Sequence, residues 1–246
     1  MPSINLRPSL NSLLAALPPP EYERLLPNLQ LLSLDLGETL SEPGCPMDYI
    51  YFPISSILCF MHTASNGRSE KVAIIGHDGA SGSQALSGES TFARILVLQA
   101  GHAYRIHTET LNSLFKTDSF LQLILLRYTQ VMISQLMLTG RCHRTHTPEQ
   151  QLCRWLLCSL DLFQTTQLKT SAELIAEVLG LETLKVASVL EQLQADGLII
   201  IDKSHIHILE RRALEQQVCD CYREIKLETE KWLPHTFDRR KTPRPR

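Results

Sequence analysis

The chain has 246 residues, 43% of them hydrophobic and 20% charged. That is the usage of an ordinary globular protein, long enough for two domains, and it excludes a disordered or collagen-like chain. The formal net charge of −2 names no partner. Seven cysteines, an odd number set in apolar runs, together with an N-terminus lacking an apolar leader, point to free thiols in the cytoplasm.

Residues 9–17 are predicted as a short amphipathic helix with a Ser or Asn cap, ended by Pro18, Pro19 and Pro20. Residues 21–26 can start another turn. Between Leu29 and Ile106 the texture changes. Short apolar runs recur there, separated by Gly37, Gly44, Gly67, Gly76, Gly79, Gly82, Gly88 and Gly101. Evenly spaced short strands with glycine turns predict a compact all-β roll. Asn66-Gly67 has the residue types of a type I′ hairpin.

A short helix ending near Lys116 follows, and Asp118 or Ser119 then caps a long helix over residues 120–141. Its apolar residues fall on nearly every face, so it must be buried on several sides. It can be the central core helix of a monomer, or cover the roll on one side and meet a second copy on another. More than five turns is too long for one small roll to cover, which favours the dimer. The seam is then assigned to Leu125, Tyr128, Val131, Met132, Gln135 and Leu136. Arg127, Gln122, Gln130 and Gln135 interrupt the apolar run, so no membrane span is expected.

Pro148 marks the next helix start, in residues 147–150, and that helix runs to about Phe163. Residues 164–170 are predicted as a polar loop. Ser171 caps a helix to Leu179, Gly180 turns the chain, and residues 182–195 form the next helix before Asp196-Gly197. Residues 198–201 and 206–209 then alternate around a four-residue turn, a short β-hairpin. Helix, glycine turn, helix and two-stranded wing make a winged helix-turn-helix. Residues 211–233 are predicted as one final helix, and the basic, proline-rich tail as disordered.

The fold class is therefore α+β. Residues 1–117 form an N-terminal double-stranded, jelly-roll-like sensor domain, and residues 118–143 the dimerisation helix and hinge. Residues 144–233 form the winged helix-turn-helix, and residues 234–246 the tail.

At this point the chain resembles the Crp/Fnr family of bacterial regulators over nearly its full length. The resemblance is carried by Leu36-Gly37-Glu38-Thr39-Leu40 and Glu42-Pro43-Gly44 in the roll. It continues in Leu152-Cys153-Arg154-Trp155-Leu156-Leu157, and in Leu174-Ile175-Ala176 with Leu179-Gly180-Leu181. It implies a roll like that of cyclic-nucleotide-binding proteins, a homodimer, and promoter DNA as target. RNA polymerase or another protein is a further partner class.

Two departures follow. Cyclic-nucleotide binders of this fold carry a Glu for the ribose and an Arg for the phosphate. Here no acid stands in the run from Gly79 to Gly88, and Arg94 is offset by one residue, onto the other face of a strand. Arg94 remains the one effector-contact candidate beside its reading as a surface residue. No cofactor is assigned, and any effector is an unknown small molecule or none. The second departure is the recognition helix, where the family's Arg-Glu and later Arg are replaced by Thr183, Leu184 and Ser188. Between Thr170 and Gly197 Lys185 is the only base against five acids. Residues 143–246 hold fifteen bases and fifteen acids, but five of those bases lie in residues 239–246. Phosphate contacts are accordingly assigned to Lys169, Lys185, Lys203 and tail bases such as Arg239 and Arg240, and base reading to Thr183, Lys185 and Ser188.

Cys142, His143 and His146 gather possible metal donors, yet no fourth ligand stands nearby in the sequence. Cys219 and Cys221, placed on one helix at i and i+2, would face apart. No metal is assigned. No nucleophile elbow, phosphate loop or catalytic dyad is present, so no enzyme is expected. The leading reading is a dimeric regulator of Crp/Fnr type that binds DNA without cyclic nucleotide. The alternative is a regulator-derived protein that acts through protein contacts.

Overall fold

In the computed structural model the described residues are 7–63, 69–81, 93–115, 119–163, 166–202 and 205–233. The chain divides into two compact units, residues 1–132 with 229–246, and residues 133–228.

The first unit is built on seven strands, β1 (Gln30–Leu34), β2 (Thr39–Ser41), β3 (Tyr49–Pro53), β4 (Ile57–Thr63), β5 (Ser69–Ile75), β6 (Arg94–Gln99) and β7 (Gly101–His107). They form two antiparallel sheets, ordered β1-β7-β3 and β2-β6-β4-β5. Successive side chains of a strand point to opposite faces. Ile95 and Val97 on β6 are buried, while Arg94 is exposed. Inward residues of both sheets meet in one core, including Leu34, Tyr51 and Ala103 from one and Leu58, Ile75, Ile95 and Val97 from the other.

The other face of the β1-β7-β3 sheet presents Ile50, Phe52 and Ile106 to a second core. Helices α1 (Ser12–Ala15), α2 (Pro19–Leu25), α3 (Thr108–Phe115) and α4 (Ser119–Thr145) supply Leu13, Leu14, Leu25, Leu111, Leu121, Ile124 and others to it. Asn11 ties this layer together. Its Oδ1 accepts from the backbone N–H groups of Leu13 and Leu14, capping α1. Its Nδ2 donates to the carbonyls of Pro53 at 2.9 Å and Gly79 at 2.8 Å.

Three of the six residues assigned to the seam on α4 are not available to a partner: Leu125, Tyr128 and Val131 are buried inside this protomer's own core. A Cβ on Gly79 would overlap the Tyr128 hydroxyl, so that glycine is what lets α4 approach the roll. Met132 packs partly against the same core, Gln135 is half-buried and Leu136 is exposed. The exposed apolar side chains of α4 are Leu123, Leu126, Ile133, Leu136 and Met137, of which only Leu136 was among the assigned residues. An all-round apolar helix has no periodic signal to separate these faces. By length and mean hydropathy (1.2) α4 could cross a membrane. Of its apolar window 28% is buried, the inner face lying against the roll.

The second unit contains α5 (Pro148–Phe163), β8 (Gln167–Lys169), α6 (Ala172–Leu179), α7 (Thr183–Ala195), β9 (Ile199–Asp202), β10 (His205–Ile208), α8 (Arg211–Gln217) and most of α9 (Asp220–Trp232). Thr147 and Gln150 form a reciprocal capping box at the start of α5, each side chain bonded to the other's backbone N–H. The Ser171 hydroxyl accepts from Leu174 N–H, and Gly180 takes a φ of +65° that an L side chain would strain to adopt. Leu152, Leu156, Ile175, Val186, Leu190 and Ile206 share one core.

Two local expectations change. The expected polar loop contains β8, which pairs with β10 and completes a three-stranded sheet ordered β8-β10-β9. A three-residue strand with the single apolar residue Leu168 offers too little alternation to be read from sequence. The expected final helix is two helices, broken where Val218 turns extended and Cys219 leads into α9. The hairpin turn at Asn66-Gly67, Lys203 and residues 234–246 lie outside the described residues, although Thr63 and Ser69 pair on either side of that turn.

Candidate nucleic-acid interface

Helix α7 carries the candidate reading surface. Val186, Val189, Leu190 and Leu193 turn inward and are buried. At about 100° per residue, the direction opposite that stripe is centred on Leu184, with Ser188 close beside it and Thr183 and Lys185 on the two flanks. All four are exposed, Leu184 to 84%. The sequence reading took Thr183, Lys185 and Ser188 and passed over Leu184. Its signal was available, because a leucine facing away from the inward stripe has no partner in the domain core.

The electrostatics around α7 are acidic. Glu173, Glu177, Glu182, Glu191 and Asp196 are all exposed. A hydrogen bond from the Ser171 hydroxyl, helped by the backbone of α6, holds the Glu173 carboxyl below its ordinary range, so it stays ionised. Lys185 and, on β8, Lys169 are the exposed bases near this surface among the described residues assigned to DNA. Lys203, Arg239 and Arg240 lie outside them. On β10, His205 and His207 flank the buried Ile206, their ring centroids 6.3 Å apart.

Behind the wing, Arg211 bonds to Asp161 at 2.6 Å and to the Tyr222 hydroxyl at 2.7 Å, and Tyr222 also donates to Asp161 at 2.8 Å. This knot holds α5, α8 and α9 together. Burial first, then the neighbouring Asp161 carboxylate, pushes the Tyr222 hydroxyl well above its usual range, so it remains a donor.

In the roll, Arg94 lies on β6 with Nε 2.9 Å from Glu42 Oε2, both side chains about half-exposed. It is engaged in a surface ion pair. A cleft of about 290 Å³ includes Glu42 in its lining, with Leu40, Ser41, Cys45, Met47, Asp48 and Tyr51 among others, and holds no Lys, Arg or His among the described residues. Of the run from Gly79 to Gly88 compared above with nucleotide binders, residues 82–88 lie outside the described residues.

The chain thus runs from a two-sheet roll through a long helix to a winged helix-turn-helix, a motif whose second helix enters the major groove in helix-turn-helix proteins. Residues 150–217 match the Crp-like helix-turn-helix domain. The chain has the fold of the Crp/Fnr regulators. FixK2 from Bradyrhizobium japonicum is similar with a TM-score of 0.66 and 16% identity, over 78% of this chain and 98% of that one. CLP from Xanthomonas campestris, a c-di-GMP-responsive global regulator, gives 0.63 and 17%, over 77% and 98%. A Crp/Fnr-family transcriptional regulator from Thermus thermophilus gives 0.63 and 16%, over 76% and 97%. No curated protein sequence matches the chain.

Proposed function

We propose that this protein is a cytoplasmic, homodimeric transcription regulator that binds promoter DNA through α7 and the wing. The observation that carries the reading is a winged helix-turn-helix whose second helix leaves Thr183, Leu184, Lys185 and Ser188 open to solvent. Leu184 suits contact with a thymine methyl, and Lys185 suits phosphate or a guanine edge. Lys169, Lys203, Arg239 and Arg240 add phosphate contacts. With so few bases, specificity rests on apolar contact and DNA shape rather than on arginine reading.

For the dimer, Leu123, Leu126, Gln130, Ile133 and Met137 repeat at alternating spacings of three and four on the side of α4 opposite its buried face. That is the spacing of a coiled-coil seam, and it supports assigning the dimer contact to this face. For the sensor, independence from cyclic nucleotide is supported by Arg94, which already neutralises Glu42. The protein performs no catalysis in this reading, and any effector is a different small molecule.

The test is a gel shift against DNA upstream of its own coding region, at several salt concentrations. Specific binding that weakens log-linearly with salt supports the reading. Five exposed acids around one lysine favour a second reading, a dimer that contacts proteins such as RNA polymerase without reading DNA. Absence of binding to any genomic fragment at low salt selects it.

A further inference from the structure

In the second unit, four side chains converge that are far apart in the chain. Cys142, His146, Cys219 and Cys221 place one ligand atom each within 4.8 Å of all the others. Helix α4 leads to the first two, spaced i and i+4, so they share a face. The backbone N–H of His146 still bonds to the Cys142 carbonyl at 3.1 Å, which keeps that spacing helical past the end of α4. Cys219 precedes α9 and Cys221 lies in its first turn. The pair therefore straddles a loop-to-helix junction, and its two side chains are not forced to face apart as they would be within one helix.

We propose that these four residues form a closed structural zinc site, Cys3His, that pins the end of α4 to the start of α9.

Two of the six donor–donor edges already have the length a tetrahedral zinc site requires, and the remaining four are within 4.8 Å. Zinc–sulfur bonds of about 2.3 Å and zinc–nitrogen bonds of about 2.0–2.1 Å set ligand atoms about 3.6–3.8 Å apart. Cys142 Sγ and Cys219 Sγ are 3.6 Å apart, and Cys221 Sγ is 3.7 Å from His146 Nδ1. Three thiolates and an imidazole are a zinc donor set. Ligands of a multi-iron cluster are spread over separate irons and stand farther apart than this. Four protein ligands leave no open position, so the ion is structural and supplies no catalysis.

The surroundings are those of a metal centre as well. The other nitrogen of His146, Nε2, is 3.4 Å from Asp220 Oδ1, so a carboxylate can orient the ring with Nδ1 toward the ion. A zinc with three thiolates carries one net negative charge. Arg141 NH2 stands 3.3 Å from Cys221 Sγ and is itself anchored by Glu224 at 2.9 Å. Arg154, buried in α5, faces the Cys142 thiol and bonds to Thr139 at 3.2 Å. Among the described residues it pairs with no carboxylate and its Nε has no partner. A thiolate cluster gives that buried cation its counter-charge. Cys142, Cys219 and Cys221 are buried, while the His146 side chain is 19% exposed, which leaves a path for metal exchange.

The proposal does not rest on DNA binding. The full chain is purified without a metal-chelating tag, and its zinc is measured by elemental analysis beside a count of free thiols in denaturant. One zinc per chain with seven thiols is expected. Chelated protein refilled with Co²⁺ is expected to show thiolate charge-transfer bands and the intense red d–d bands of a tetrahedral sulfur-rich site. Cys142→Ser and Cys219→Ser should lose the metal on gel filtration, and Cys158→Ser, outside the cluster, should keep one zinc. Should the cysteine variants fail to fold, Asp220→Asn decides, since it leaves all four donors in place and removes the half-exposed carboxylate beside His146 Nε2, along with that carboxylate's longer 3.7 Å contact to Arg141. It should weaken zinc binding in chelator competition by roughly 10- to 100-fold. Seven thiols without stoichiometric metal, or five thiols without metal through a Cys142–Cys219 disulfide, would each overturn the proposal. Unchanged zinc affinity in Asp220→Asn would refute the assigned orientation of His146.

Discussion

Leu126 offers the sharpest test of the dimer. It is 62% exposed on the outer face of α4, among Leu123, Ile133 and Met137. Full burial of a leucine side chain contributes about 1.5–3 kcal/mol, and about three-fifths of this one remains to be buried, so a seam would gain about 1–2 kcal/mol from it. A two-fold interface uses every residue twice, which doubles the loss for Leu126→Ala to about 2–4 kcal/mol per dimer. At about 1.4 kcal/mol per tenfold, the dimer dissociation constant rises about 30- to 700-fold. Sedimentation equilibrium over a dilution series reads this directly, with unfolding of the variant followed in parallel. Val131→Ala is the contrast, because Val131 is 2% exposed within its own protomer. It should lower stability while leaving the association constant of the folded protein nearly unchanged. A wild-type protein that is monomeric at micromolar concentration, or a Leu126→Ala variant that dimerises as tightly as wild type, refutes the seam.

Asn11→Ala removes a fully buried side chain that satisfies two carbonyls and caps α1, so chemical denaturation should show a loss of about 2–4 kcal/mol, above the usual cost of a cap. Leu156→Ala opens a cavity at a 0%-exposed position in the second unit and should cost about 2–5 kcal/mol in the same assay. Lys185→Glu should abolish DNA binding at low salt, and Leu184→Ala should reduce discrimination between sites more than overall affinity; equal binding by both variants would move the interface elsewhere. Deleting residues 239–246 removes five bases and should flatten the salt dependence of binding, measured as the slope of log affinity against log salt.

Local chemistry in the sequence determined most of the elements. Ser171 and Gly180 bound α6 because a hydroxyl satisfies free N–H groups at one end and a left-handed turn needs glycine at the other. The inward stripe Val186, Val189, Leu190 and Leu193 defined α7 by its helical period, and glycine-punctuated apolar runs marked the roll. Tertiary structure alone decided matters of partnership. Which side of α4 is core was hidden, because apolar residues on every face carry no phase; the approach of Gly79 to Tyr128 settled it. The strand β8 exists because β10 lies beside it, not because Gln167-Leu168-Lys169 favours a strand. Cys142 and Cys219 stand 77 residues apart in the chain and 3.6 Å apart in space. Val218, where the chain turns extended between the two helices, packs against the cluster of Cys142, Cys219 and Cys221, a contact between segments that neither segment's own pattern encodes.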